Sequence, residues 1–341
     1  MPAEWEPQSA TWLSWPHNVE TWPDNLRQAQ SEFVELVKLI ANHQQVYVLA
    51  SPDARDLNAS LAKEAHKIFA NCPNVEIINI PTNDAWARDY APTFVTLKTE
   101  TGASELVAID WHYNAWGSKY PPFDDDQKVA RHIAESLNLK RVDAKFCFEG
   151  GAIEVNGSGV LLSTKSCALD PNRNPDHTLE QVDTLLASLL GTQKHIWLSG
   201  DAIEGDDTDG HIDQLARFVN ETTIVYAWAD DKDDPQLVGL QQNLTDLREG
   251  LDSNGLGHYK LVALPIPKKI EIHGRRIPAS YCNFLITNEM VVVPQFSQPE
   301  DDQAIAILKD LFAGRKIVGL PSLNLSVGLG SFHCLSQQQP K

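Results

Sequence analysis

The chain alternates between two apolar periods. Between 24 and 43, apolar residues recur at 26, 29, 33, 36, 37 and 40, which draws one stripe down a helix. Short apolar runs at 11–15 and 45–50 flank it as strands, and a helix over 53–69 and a strand over 75–80 follow. Then a rhythm sets in. A strand pair at 93–97 and 106–111 leads to a helix at 125–138 and a strand at 142–146. A hairpin of 152–155 and 160–163, turned by Asn156-Gly157-Ser158-Gly159, leads to a helix at 178–190, stopped by Gly191, and a strand at 195–198. Hairpins of 214–219 with 223–228 and of 283–287 with 290–293 repeat the order, with helices at 236–250 and 301–312 and strands at 260–264 and 316–319. That is hairpin, helix, strand at a period of roughly 60–70 residues, the mark of a repeat architecture. The strand near Trp12, the helix at 24–43 and the strand at 45–50 complete a fifth copy if a strand after Phe332 supplies the missing hairpin partner. The expectation is an α/β fold: a five-fold pseudosymmetric α/β propeller, closed by its two ends around a central channel, as a single domain over 1–341. A doubly wound sheet is the runner-up, but it needs parallel crossovers where this chain has hairpins.

Polar residues fall at matching places ahead of each hairpin: Trp86-Ala87-Arg88-Asp89, Phe148-Glu149-Gly150-Gly151, Gly210-His211-Ile212-Asp213, Ala279-Ser280-Tyr281-Cys282-Asn283 and Gly330-Ser331-Phe332-His333-Cys334. In a ring, equivalent ends meet on one axis, so Asp89, Glu149, His211, Asp213 and Cys334 are expected to share a pocket.

The densest acidic stretch is Gly205-Asp206-Asp207-Thr208-Asp209-Gly210-His211-Ile212-Asp213. An EF-hand reading fails: with Gly210 at position six, position one is Gly205 and position twelve is Ala216. A zinc reading finds at most two ligands in His211-x-Asp213, with no CxxC or HExxH elsewhere. No metal site is expected. An organic cation with His211 as acid/base remains, beside the plainer alternative of a solvated acidic turn.

Charge favours the cation. The 341 residues carry a net charge of −18, which opposes nucleic acid and anionic membranes and suits a cationic small molecule. Nine tryptophans offer ring faces for a cation, although core filling accounts for most of them. Five scattered cysteines do not form a disulfide framework, no apolar run approaches the ~20 residues of a membrane helix, and the start lacks a signal-like pattern. A cytoplasmic protein is expected. A thiol, an imidazole and several carboxylates in one pocket suit attack on a guanidinium carbon. That group is planar and permanently charged, and carboxylates grip it two bonds at a time.

The chain resembles the agmatine deiminases, of the guanidine-modifying superfamily with the five-bladed pentein fold. The resemblance rests on Met1-Pro2-Ala3-Glu4-Trp5-Glu6-Pro7, Trp86-x-Arg88-Asp89, Asn114-Ala115-Trp116-Gly117, Glu149-Gly150-Gly151, Asp206-Asp207-Thr208-Asp209-Gly210-His211-x-Asp213, Ala279-Ser280-Tyr281-x-Asn283-Phe284 and His333-Cys334-Leu335-Ser336-Gln337-Gln338-Gln339-Pro340. It implies that Cys334 is the nucleophile and forms an amidino-cysteine intermediate. By the same resemblance, His211 gives a proton to departing ammonia and then activates water. Asp89 and Asp213 hold the guanidinium, and Glu149 steers His211. It also implies conversion of agmatine to N-carbamoylputrescine and ammonia, no cofactor, and a homodimer. Trp86, Trp116, Asn114 and Asp207 are the candidate substrate-binding residues, with core packing open for the tryptophans (Trp111 included) and loop structure for Asp206, Asp207 and Asp209.

Two places depart from the family pattern. Val327 and Leu329 stand where glycines usually precede the His-Cys pair, and Ala91 follows Arg88-Asp89-Tyr90 where glycine is common. Leu329 is expected to narrow the pocket or stiffen its loop. Cys72, Cys147 and Cys167 read as ordinary buried thiols. His333, next to Cys334 on a supposed strand, reads as structural and facing away. Two alternatives to agmatine hydrolysis stay open: a deiminase of free, methylated or peptidyl arginine, and a cation-binding protein without catalysis.

Overall fold

The computed structural model describes residues 1–51, 57–99, 102–272 and 274–341, with backbone alone at 57–59. One strand grammar recurs in five sheets. Thr93–Lys98 pairs antiparallel with Ser104–His112, which pairs parallel with Lys140–Cys147. Glu154–Val155, Val160–Thr164 and Lys194–Leu198 repeat that order. So do Ala216–Asn220, Thr223–Trp228 and Lys260–Pro265, and then Leu285–Ile286, Met290–Gln295 and Lys316–Pro321. In each, a helix joins the second strand to the third, as a parallel crossover requires: Asp126–Ser136, Leu179–Leu190, Leu237–Ser253 and Glu300–Leu311.

The fifth sheet is built from both chain ends. Ser336–Pro340 pairs antiparallel with Gln8–Ser14, which pairs parallel with Gln45–Leu49 across the helix Leu26–Ala41. Val75–Ile78 adds a fourth, parallel strand. The expected exchange of a C-terminal strand is therefore present. The architecture is mixed α/β. Its sheets stay separate, and no sheet closes on itself among the described residues.

Sequence explains the elements locally. Leu26–Ala41 buries Ala29, Phe33, Leu36, Val37 and Ile40, the stripe read from spacing. Leu179–Leu190 opens on a capping box between Thr178 and Gln181 and stops at Gly191, whose φ of 69° is left-handed. The expected helix over 53–69 is described as Leu57–Phe69, its first residues lying outside the described ones. The hairpin of Glu271–Ile272 with Arg275–Arg276 was not foreseen: its polar residues carry no apolar alternation. Among the described residues three apolar cores gather side chains from helices and strands, and the first includes Trp86, Trp116 and Cys334.

Candidate active site

Each repeat opens on one tight turn of helix or a bend just ahead of its first strand, and that turn carries the polar residue. Asp89 lies in Ala87–Tyr90, Glu149 just ahead of Gly150–Ala152, His211 just ahead of Ile212–Gln214 and Asp213 on it. Asn283 ends Tyr281–Asn283, and Cys334 lies in the turn before Ser336–Pro340. These turns at the strand mouths are where five distant segments carry their polar side chains.

There they meet. The Asn283 Nδ2 donates to the Cys334 Sγ at 3.0 Å, and the Cys334 thiol lies 3.5 Å from the Asp213 carboxylate. His211 sits between two other carboxylates, with Nδ1 3.6 Å from Asp89 and Nε2 3.6 Å from Glu149. Gly151 donates its backbone N–H to Asp89 at 2.9 Å. A Cβ at Gly151 would stand 2.4 Å from the His211 Nδ1, so only glycine lets the backbone pass this close. Asp89 and Cys334 both line a cavity of about 570 Å³, walled also by Trp86, Trp116, Asp207 and Leu329.

Burial and charge set the protonation states. Burial, with Asp213 and Asp89 nearby, pushes the Cys334 thiol well above its ordinary range. Burial also raises Asp89, to about 6, against the pull of His211. Burial opposes ionisation of Glu149 too, but the Arg173 guanidinium, 2.7 Å away, and His211 hold it at about 2. For His211 burial disfavours the cation, yet Asp89, Cys167 and Glu149 outweigh it and raise the imidazole well above 6.5. Asp213 is lowered: burial works against it, and His333, His211 and Arg217 prevail. The arrangement thus has an uncharged thiol, a charged imidazole, and carboxylates that can receive a cation.

The candidate binders divide. Trp86 and Trp116 line the cavity, and a Cβ at Gly330 would meet the Trp86 ring at 2.4 Å, so the backbone before Cys334 passes against that ring at Gly330. The Trp116 Nε1 donates to Asp89 at 3.0 Å. Its backbone belongs to a left-handed run of four residues, with φ of 52°, 55°, 85° and 66° from Ala115 to Ser118. Asn114 is corrected: it lies off the cavity wall. Its Oδ1 accepts from the Gly117 N–H at 2.8 Å and its Nδ2 donates to the Asn172 carbonyl at 3.0 Å, so it holds the turn that aims Trp116. Trp111 is no wall either; it packs on Phe148 and donates to Thr93.

The acidic stretch is sorted by what each side chain meets. Asp206 accepts from the Thr208 and Gly210 N–H groups and shapes the loop. Asp209 pairs with Lys119 at 2.7 Å and Arg173 at 2.6 Å. Asp207 alone of the three lines the cavity, where the Tyr120 hydroxyl donates to it. Leu329 has a left-handed φ of 77° and Val327 lines the same wall, whereas Ala91 is extended and its departure from glycine strains nothing.

His333 is corrected as well. Residues 332–335 form a turn, so strand alternation does not apply, and the His333 Nδ1 lies 2.8 Å from the Asp213 carboxylate. Behind it, Glu4 approaches Nε2 at 3.3 Å and pairs with Arg217, which also holds Glu154 at 2.8 Å. Arg88 faces the C-terminal strand, donating to Gln337 and Gln338 at 2.7 and 2.6 Å. Cys167 is buried as expected, but its Sγ lies 3.5 Å from Glu149.

A family model described as Porphyromonas-type peptidyl-arginine deiminase matches residues 1–340. The chain belongs to this family. The agmatine deiminase of Pseudomonas syringae pv. syringae (strain B728a) is 34% identical over 363 residues, which cover 100% of this chain and 95% of that relative. The structure of C. jejuni agmatine deiminase with substrate bound is 32% identical with a TM-score of 0.86, covering 100% of this chain and 96% of that one. The agmatine deiminase of Enterococcus faecalis gives 30%, 0.87, 100% and 95%.

For a Porphyromonas-type deiminase chain, the residues that sequence reasoning missed are the supporting ones: Glu4, Cys167, Arg173, Arg217 and the ligand-like use of Asn283. Glu4 and Asn283 were inside quoted motifs, which was a usable signal. Arg173 stands in an unmarked stretch, Pro171-Asn172-Arg173-Asn174, with no pattern to betray its burial.

Proposed function

We propose that this chain hydrolyses agmatine to N-carbamoylputrescine and ammonia through a covalent amidino-cysteine. The observation that carries the reading is one cavity wall bearing both Cys334 and Asp89, with Asp213 3.5 Å from the sulfur. The guanidinium settles between Asp89 and Asp213 and brings the positive charge that the buried thiol lacks, so Cys334 ionises when substrate is present, its proton passing to solvent. The thiolate forms a C–S bond to the guanidinium carbon. His211, already protonated, transfers its proton to one terminal nitrogen, which leaves as ammonia as the C–N bond breaks. Neutral His211 then takes a proton from water. The resulting hydroxide forms the C–O bond, the C–S bond breaks, and the hydroxyl proton passes to the departing sulfur, which restores the Cys334 thiol and completes carbamoylputrescine. Glu149, fixed by Arg173, keeps His211 charged for the first step.

The walls support a dication. Among the described residues the lining acids are Glu20, Asp84, Asp89, Asp126 and Asp207, against one basic side chain, Arg275; burial pushes Asp84 and Asp126 towards the neutral acid, so the other three are the ones to draw a cation. A free α-carboxylate would need a cation on the wall, and Arg88 does not line the cavity; its Nη1 donates to Gln337 and Gln338. We further propose that residues 1–341 are one catalytic domain whose five sheets surround the site as a closed five-fold ring, acting in the cytoplasm as a homodimer. All five cysteines are free, which suits a reducing compartment.

The test is product analysis with agmatine, arginine, methylated arginine and a peptidyl arginine. Carbamoylputrescine and ammonia from agmatine, with far less product from the others, is expected, and an amidino adduct should be weighed on Cys334 after acid quench. Citrulline as the main product would move the reading to arginine. No ammonia from any guanidine would end the enzyme reading.

A further inference from the structure

We propose that Glu149, Cys167 and His211 form a tetrahedral binding site for a zinc-class divalent ion, and that the ion inhibits the enzyme by taking His211. The inhibitory part rests on the role proposed above for His211; the binding part does not. Three observations carry it.

The first is spacing. The His211 Nε2 and Glu149 Oε2 are 3.6 Å apart, the Cys167 Sγ and the same oxygen 3.5 Å, and all three ligand atoms lie within 4.8 Å of one another. Zinc bond lengths of about 2.0–2.3 Å give tetrahedral edges of roughly 3.3–3.7 Å. These two edges fit, and the third, between imidazole and thiol, lies within 4.8 Å; a water would complete the tetrahedron.

The second is an unspent ligand. His211 is 1% exposed, and among the described residues neither ring nitrogen has a hydrogen-bond partner. Nε2 points at the Glu149 oxygen, and Nδ1 faces Asp89 at 3.6 Å. A carboxylate behind a histidine whose other nitrogen meets a metal is the usual supporting arrangement.

The third is the state of Glu149. Arg173 holds one carboxylate oxygen at 2.7 Å, which fixes the group and leaves the other oxygen turned to Cys167 and His211. The second buried cluster of this composition, Glu4, Glu154 and His333, lacks that freedom. Arg217 pairs with both of its carboxylates, and Asp213 takes its histidine.

Binding replaces two protons: M²⁺ joins Cys167 as thiolate and His211 as neutral imidazole, and both protons leave to solvent. The Arg173 charge opposes the cation, and the thiolate and the Glu149 carboxylate offset it. An ion held on Nε2 takes the place of one imidazolium proton and leaves His211 a neutral, fixed ligand with no acidic proton for ammonia, so catalysis stops without any contact to Cys334.

The test is a cobalt titration of chelator-stripped enzyme, read by the sulfur-to-cobalt charge-transfer band and tetrahedral d–d bands. Zinc should then displace the cobalt, and wild type should bind one equivalent. Cys334→Ser should keep the band. Cys167→Ala and Cys167→Val, checked for folding by circular dichroism, should lose it and weaken zinc by more than the roughly 10–100-fold of an outer-shell change. In the activity arm, zinc should suppress ammonia release and a chelator restore it. No band in wild type, or a band lost in Cys334→Ser and kept in Cys167→Ala, overturns the site. If wild type proves inactive on guanidines, the spectroscopic arm still decides the binding claim.

Discussion

Two buried histidines flank the cluster around Cys334, and each meets two carboxylates, yet their protonation goes opposite ways. His211 faces Asp89 and Glu149 and is raised well above 6.5. His333 faces Asp213 and Glu4 and is lowered, by burial first and then by Arg217 and Arg88. Counting acids does not separate the two rings. What separates them is the next layer of charge. Arg173 sits behind Glu149 and is itself balanced by Asp209, whereas two guanidiniums crowd the His333 side. Bond geometry reinforces the split. His333 is pinned at 2.8 Å, and His211 has no hydrogen-bond partner among the described residues, its carboxylates standing at 3.6 Å. One ring is a fixture that orients Asp213; the other is a tool with a proton to give. Similar side chains take different tasks because their surroundings push their affinities for protons apart.

The comparison can be broken or sharpened in order of effect. Cys334→Ser should lower turnover by on the order of 10⁵-fold or more while calorimetry still detects agmatine binding, because it removes the nucleophile and leaves both rings in place. His211→Asn should cut kcat/KM by about 10²–10⁴-fold, and His333→Asn by about tenfold or less; a reversal would dissolve the distinction. Arg173→Met should destabilise the fold by about 3–5 kcal/mol in urea unfolding, since it strands a buried carboxylate, and Arg217→Met should do at least as much. In pH profiles, kcat/KM should fall below a pH of about 6, with a slope of one proton, as Asp89 becomes neutral and loses its hold on the cation. Asp213, lowered, stays ionised across that range. Trp116→Phe removes a donor to the Asp89 carboxylate and should move that limb upward. The smallest effect is expected from Leu329→Gly: about 0.5–1 kcal/mol of added stability from relief of a left-handed backbone, and a higher relative rate on arginine through a wider cavity.

Stability should also depend on acid through Glu149 and Glu4, each held at about 2. Folded affinity for the proton is below the unfolded value of about 4.3. Their contribution is therefore complete above that value and lost as pH falls towards about 2.

The repeat was legible because each helix and hairpin carries its own period, and the ends of Leu26–Ala41 and Thr223–Trp228 fell within about two residues of expectation. Residues brought to the cavity by a turn at a strand mouth, such as Asp89 and Cys334, were legible from their equivalent places in the repeat. Supporting charges were not. Arg173 and Arg217 are buried by tertiary contacts that leave no local pattern, and Asn114 looked like a binder because its motif is about a neighbour, Trp116. His333 misled for a different reason: alternation was assumed where the backbone turns.

The left-handed run from Ala115 to Ser118 has a consequence for encounter with ligand. Its segment has surrendered its freedom during folding, so the indole arrives already cocked towards Asp89 and nothing remains to be ordered when a cation comes in. Recognition there should be fast and rigid rather than adaptive, and any residue that relaxes the turn should slow capture before it alters chemistry.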